Sequence, residues 1–270
     1  MLTVFPQSAE AVSISNSSLS VGIDNFTGAI SSLVYQGVEY YFLGAPVSDY
    51  GFQIGSDDTT FGRASYSGLS PNITISSVTS SLASTAVVTG QYNSFIDFTQ
   101  TYIASAPDLL TTEVELKNNG SGTTTIRYFF AADPDQGIPL GEGFVTINDV
   151  FTSSGQKFGS ATATGSLPFS VTFGTSSPLG FLSSLGIFSG PDLNNFFTTG
   201  GSDPNGAVQD IGFAIGYEFS LNPGEAVQFS YTQEFSSGQS VPEPSTILGL
   251  GLLGLGAFCQ RKLSQGKKSK

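Results

Sequence analysis

Side chains able to bind or transform a ligand gather in three acidic loops of this 270-residue chain. They are Asp57-Asp58, the stretch Asp133-Pro134-Asp135-Gln136-Gly137, and Asp203-Pro204-Asn205-Gly206 with Asp210 close behind. Carboxylate and amide oxygens in Gly-containing loops are hard ligands of the kind Ca2+ takes. Asp133, Asp135, Asp203 and Asp210 are therefore the candidate metal ligands. None of the loops has the DxDxDG spacing of a calcium loop. Asp, Asn, Pro and Gly also build turns for purely local reasons. The sequence leaves both readings open: a bound Ca2+, or turns without any cofactor.

Catalysis finds less to work with. The chain has 21 acidic residues, so a pair of carboxylates facing each other across a sugar would arise easily by chance. It has no His, so every mechanism that needs imidazole is closed, and a Ser nucleophile would lack its usual base. No Gly-x-Ser-x-Gly elbow sits between a strand and a helix. Cys259 is the one cysteine, which excludes an internal disulfide and a thiolate metal site. The expectation is a protein that is not an enzyme. Carbohydrate binding is the first alternative, ahead of a glycan-active enzyme, with Tyr35, Tyr40, Tyr41, Tyr50, Tyr66 and Tyr92 as faces for sugar rings. The same tyrosines fit a strand core or cross-strand pairs equally well, and there is no Trp.

The elements that must position these groups read as strands. Charged residues make up only 11% of the chain, against about 25% in ordinary soluble domains. Ser, Thr, Gly and Asn supply the missing polarity, and 23 Phe and 10 Tyr are too many for a disordered chain. From Val12 to Phe235, short apolar or alternating runs recur. They include Leu19–Ile23, Ala29–Val34, Val38–Phe42, Ile73–Val78, Ala86–Tyr92, Ile96–Ala104, Leu109–Lys117, Thr124–Ala132, Gly143–Asn148, Ser170–Gly174, Ile211–Leu221 and Ala226–Phe235. Asn25-Phe26-Thr27-Gly28, Asn118-Asn119-Gly120 and Asn222-Pro223-Gly224 punctuate them as turns. Only Pro178–Phe188 and Asp192–Phe197 have any helical character, and 190–209 reads as a long irregular connection. The predicted fold is all-β, a large antiparallel β-sandwich, followed by a short apolar transmembrane-like helix at the C-terminus.

Charge is distributed unevenly. Residues 1–246 carry 21 acidic and four basic side chains, a net of −17, while five basic residues follow Glu243. A body this negative repels phosphate backbones, which excludes nucleic acid as a partner. The end of the chain reads differently. A rigid Val241-Pro242-Glu243-Pro244-Ser245 cluster precedes an apolar run containing Ile247, Leu248, Leu250, Leu252, Leu253, Leu255 and Phe258, and Arg261-Lys262 closes it. The run from Ile247 to Cys259 is shorter than the roughly 20 residues that span a bilayer comfortably. Its flanking positive charge would stay on the cytoplasmic side.

This arrangement resembles the PEP-CTERM sorting signal of bacterial exported proteins. The resemblance implies that an exosortase, a membrane cysteine transpeptidase, acts around Pro242–Pro244 while the chain is held in the inner membrane. The body is then delivered to the cell envelope or the exterior, with exopolysaccharide as a partner under the carbohydrate-binding alternative. The extra stretch Leu263–Lys270 departs from tails that stop at the basic cluster. The body carries a second resemblance. Leu19–Tyr41 and Ile211–Phe235 look like the opening hairpins and closing strand pair of galactose-mutarotase-like supersandwich domains, whose chemistry relies on His that this chain lacks.

The organisation expected is thus a signal-peptide remnant at 1–11, a β-sandwich at 12–235, a linker at 236–240, a sorting tail at 241–262 and a basic cytoplasmic end at 263–270. The remnant is inferred from Ala9-Glu10-Ala11, a small-x-small cleavage pattern without the basic and apolar regions of a complete signal.

Overall fold

A computed structural model describes residues 12–41, 48–55, 62–63, 73–166, 168–175, 181–185 and 193–238; the side chains of 62–63, 181–185 and 193–195 are outside it. Asp57, Asp58, Tyr66, residues 1–11 and the whole sorting tail fall outside the described residues. No helix among the described residues is long and apolar enough to cross a membrane.

The strands are β1 (Val12–Ser15), β2 (Leu19–Ile23), β3 (Ile30–Tyr35), β4 (Val38–Glu39), β5 (Ser48–Ile54), β6 (Gly62–Arg63), β7 (Ile73–Leu82), β8 (Thr85–Tyr92), β9 (Ile96–Ala106) and β10 (Leu109–Asn118). They continue with β11 (Thr124–Ala132), β12 (Thr146–Ser153), β13 (Gln156–Ala163), β14 (Ser170–Thr175), β15 (Phe181–Leu185), β16 (Ala207–Gln209), β17 (Gly212–Leu221) and β18 (Ala226–Ser236). One short helix, α1 (Leu193–Thr199), precedes β16. The compact body closes at Ser237.

These strands form three antiparallel sheets. A nine-stranded sheet runs β16-β12-β13-β14-β18-β10-β9-β8-β7, a five-stranded sheet runs β15-β17-β11-β5-β6, and a smaller one runs β1-β2-β3-β4. Their side-chain patterns show how they stack. β8, β9 and β10 alternate buried and less buried residues, so the large sheet buries one face. β11 and β17 are buried almost continuously along Tyr128–Ala132 and Gly212–Tyr217, because both faces of the five-stranded sheet are covered. On one side Phe52 meets Phe98 at 4.9 Å between ring centres, and Phe130 stacks on Tyr231 at 4.7 Å. On the other side lies α1: a Cβ at Gly216 would come within 2.5 Å of Phe196 and 2.9 Å of Phe197. Each such buried ring contributes about 1.5–3 kcal/mol from apolar area alone. The small sheet joins the same core, with Tyr40 meeting Phe235 of β18 edge-on at 5.0 Å.

The core is unusually rich in phenols, and their hydroxyls are satisfied internally. Tyr128 donates to Gln100 Oε1 at 2.8 Å, the Gln100 amide donates to the Tyr102 hydroxyl, and Tyr102 donates to the Gly28 carbonyl at 3.0 Å. One buried polar chain thereby links the five-stranded sheet, the nine-stranded sheet and the β2–β3 turn. Gly28 takes φ +67° in that turn, where Asp24 Oδ1 accepts from the Phe26 and Thr27 amides.

Two expectations need correction. The stretch 178–188 supplies a strand, β15, rather than a helix. Pairing with the otherwise open edge of β17 satisfies its backbone, and Gly180 and Gly186 make a poor helix there. The connection 190–209 is not wholly irregular, since it holds α1 and β16. The stretch 192–197 lies largely within α1, as its helical character suggests.

Candidate functional site

Asp133 and Asp135 stand where β11 runs out. Pro134 between them cannot donate to a ladder, so the strand ends and both carboxylates are carried onto a turn. That turn is pinned on several sides. The Asp135 amide donates to the Tyr40 carbonyl at 2.7 Å, and the Ile138 amide donates back to Asp135 at 3.0 Å. The Gln136 side-chain amide donates to the Ala161 carbonyl at 2.9 Å. Asp210 arrives from elsewhere, between β16 and β17. Its approach is fixed by the buried Asn148, which donates to the Gln209 carbonyl at 2.9 Å and the Ala207 carbonyl at 3.3 Å, holding β16 against β12.

The result is a convergence of three carboxylates whose nearest oxygens all lie within 4.8 Å of one another. Asp133 and Asp135 are each only 1% exposed, while Asp210 faces solvent. All four oxygens of Asp133 and Asp135 are buried without a hydrogen-bond partner, as is Gln136 Oε1. Desolvation, with Asp210 nearby, pushes the Asp133 carboxyl up to about 7. Burial first, then the charges of Asp133 and Asp210, push Asp135 up to about 8. Asp210 is raised by its partial burial. Carboxylates in such surroundings must hold protons or share a cation.

Asp203, the fourth candidate, is not brought to this cluster. Its Oδ1 accepts from the Asn205 amide at 2.8 Å, the local turn role that Asp plays in Asp-Pro-Asn-Gly, and from the Val150 amide of β12 at 3.3 Å. The tyrosines proposed as sugar platforms are also elsewhere. Tyr35, Tyr40, Tyr41, Tyr50 and Tyr92 are all buried in the core. Alternation alone could not say which face of each strand would be covered.

A second feature had no sequence signal beyond the polar alternation of β9 and β10. On the face of the nine-stranded sheet away from the five-stranded one lies an open groove of about 390 Å3. Register sets Thr101, Glu113 and Ser230 in one row and Thr99, Glu115 and Gln228 in the next. Gln228 donates to Glu115 at 2.6 Å, while the Val114 and Phe229 side chains between these rows turn to the core, where the Phe229 ring meets Tyr217 at 4.2 Å and Tyr128 at 5.1 Å. Finding this surface required knowing that β18 pairs with β10, which sets Glu115 opposite Gln228 and Glu113 opposite Ser230.

Comparison with known proteins bears on the tail and on the body. Residues 240–262 match the PEP-CTERM protein-sorting motif. That motif implies export and processing by an exosortase. No curated protein matches the chain in sequence. In structure, the chain is similar to a galactose mutarotase-like protein from Lactobacillus casei ATCC 334, at 13% identity and a TM-score of 0.55, covering 84% of this chain and 100% of that one. It is also similar to a polysaccharide lyase, at 12% identity and a TM-score of 0.50, covering 84% of this chain and 34% of the other. The fold is a mutarotase-like sandwich.

Proposed function

We propose that this chain is a non-enzymatic protein of the cell envelope or extracellular matrix, membrane-held during export and delivered by the motif at 240–262. That match is the observation that carries the reading. The body supports it. Its described tyrosines are spent on packing, the Tyr128–Gln100–Tyr102 chain in the core is bonded internally, and the sequence has no His to serve as base. The sorting residues Val241–Ser245 act as a processing site, Ile247–Phe258 as the held segment and Arg261-Lys262 as its cytoplasmic stop.

Fractionation of the full chain in a host that carries an exosortase tests this. The body is expected in the envelope or medium, shortened at its C-terminus. Pro242→Ala with Pro244→Ala is expected to leave the full-length form at the inner membrane. Full-length chain dissolved in the cytosol of that host would refute the reading.

The groove favours one other function, carbohydrate binding by an exopolysaccharide-associated module. Glu113, Glu115 and Gln228 offer hydrogen-bonding groups beside the hydroxyls of Thr99, Thr101 and Ser230, the chemistry that holds sugar hydroxyls. A glycan array with the full chain and with Glu113→Gln, Glu115→Gln separates the two. Binding lost in the double variant supports the module; no binding by either protein leaves the structural role.

A further inference from the structure

We propose that Asp133, Asp135 and Asp210 form a Ca2+ site that clips the end of β11 to the β16–β17 connection, tying the two large sheets together. The proposal concerns the body alone and stands whether or not the chain is exported.

Acidic clusters are common on protein surfaces and usually bind nothing in particular. This one differs in a specific respect. Two of its three carboxylates are 1% exposed, and none of their four oxygens meets a donor. Buried polar groups are almost always paired, and an ionised carboxylate without a partner is among the most costly groups to bury. Here both aim into the same small volume, and the exposed Asp210 closes it from the solvent side. An orphaned neutral acceptor, Gln136 Oε1, sits one residue along the same turn.

The dimensions fit the ion. Oxygens bound to one Ca2+ at about 2.3–2.6 Å cannot be more than about 5 Å apart. The three carboxylates meet that limit, with nearest oxygens within 4.8 Å of each other. Ca2+ takes six to eight oxygens, so waters entering beside Asp210 would complete the shell. Three carboxylates around a divalent ion leave one negative charge in place of three.

The topology gives the site its consequence. Asp133 and Asp135 extend β11, the central strand of the five-stranded sheet. Asp210 follows β16, the three-residue edge strand of the nine-stranded sheet, and precedes β17 of the other. A cation held by all three therefore bridges two layers at the point where the chain crosses between them. It also adds a second fastening to a three-residue edge strand that the β12 ladder and Asn148 already hold.

Calorimetric Ca2+ titration and thermal melting of the full chain in mild detergent, after EDTA treatment and dialysis, test the proposal. One equivalent should bind, with an affinity of about 0.1–1 mM, the range of extracellular calcium modules. Ca2+ at about tenfold its dissociation constant should raise the melting midpoint by about 3–6 °C. Asp210→Asn, at an exposed position where the fold should persist, is expected to lose at least tenfold in affinity and most of the shift. Asp203→Asn should retain both. A wild-type midpoint unmoved by 10 mM Ca2+ would overturn the site, as would an Asp210→Asn variant that binds as tightly as wild type.

Discussion

Asp133→Asn in cation-free buffer is expected to make the protein more stable at pH 9 and to change little at pH 4. The Asp133 carboxyl is pushed by burial, and by Asp210, from its usual 3.8 to about 7. Folded protein therefore keeps a proton that unfolded chain releases. With more protons bound in the folded state, stability falls as pH rises. The fall begins near pH 4, runs through the range where Asp133 and Asp135 titrate, and is complete once pH passes about 8. Three units for Asp133 correspond to about 4 kcal/mol at most. The asparagine variant removes that group, so it should recover up to about 4 kcal/mol at pH 9 while losing none of the low-pH stability. Urea unfolding in EDTA at pH 4.5, 6, 7.5 and 9, followed by tyrosine fluorescence, measures this directly, because the chain has 10 Tyr and no Trp to mask them. Added Ca2+ should reverse the order at pH 9, favouring wild type. Wild-type stability that stays flat or climbs between pH 5 and 8 in EDTA would refute the reasoning, as would a variant less stable than wild type at pH 9.

Other substitutions probe the frame around the site. Tyr128→Phe strands the buried Gln100 Oε1 and removes the contact with Tyr231 at 3.2 Å, so chemical denaturation should show a loss of about 1–3 kcal/mol with no change in secondary structure by circular dichroism. Gly90→Ala places a methyl 2.6 Å from the Thr74 backbone carbonyl and 2.7 Å from the Phe98 ring, which should cost about 1–3 kcal/mol, read as a lower melting midpoint. Asn148→Ala removes the bonds that hold β16, and hydrogen exchange at Ala207–Gln209 should accelerate while the β9–β10 pair stays protected.

How much of this could be read in the residues depended on how each element is buried. β8, β9 and β10 alternate clearly because one face of their sheet meets solvent, and those strands were legible at nearly their true bounds. β13, with Gly159, Ser160, Ala161 and Thr162 at its centre, carries too little apolar contrast to stand out. The run around Phe181–Leu185 is apolar on every position but its serines, and periodicity cannot separate a buried strand from a helix there. In the carboxylate cluster, Asp133 and Asp135 were evident from their shared Pro-containing turn. Asp203 and Asp210 had equal standing in sequence, yet a local turn consumes the first while a sheet crossing delivers the second. That difference lies in long-range pairing, which spacing along the chain does not encode. The groove with Glu113 and Glu115 was hidden for the same reason.

The phenol-filled interior has a consequence for how the molecule meets alkali. Tyr41, Tyr50, Tyr102 and Tyr128 are held far above the ordinary phenol value by burial, and Tyr40, Tyr217 and Tyr231 follow them. While the sandwich stands, these hydroxyls are expected to stay protonated, and so outside the ultraviolet band of ionised tyrosine, at pH values where exposed phenols ionise. Once it opens in base above the ordinary phenol range, these hydroxyls ionise together, and absorbance in that band rises in a single step. Absorbance near that band is thus a built-in clock for the collapse of the whole interior, needing no dye and no label.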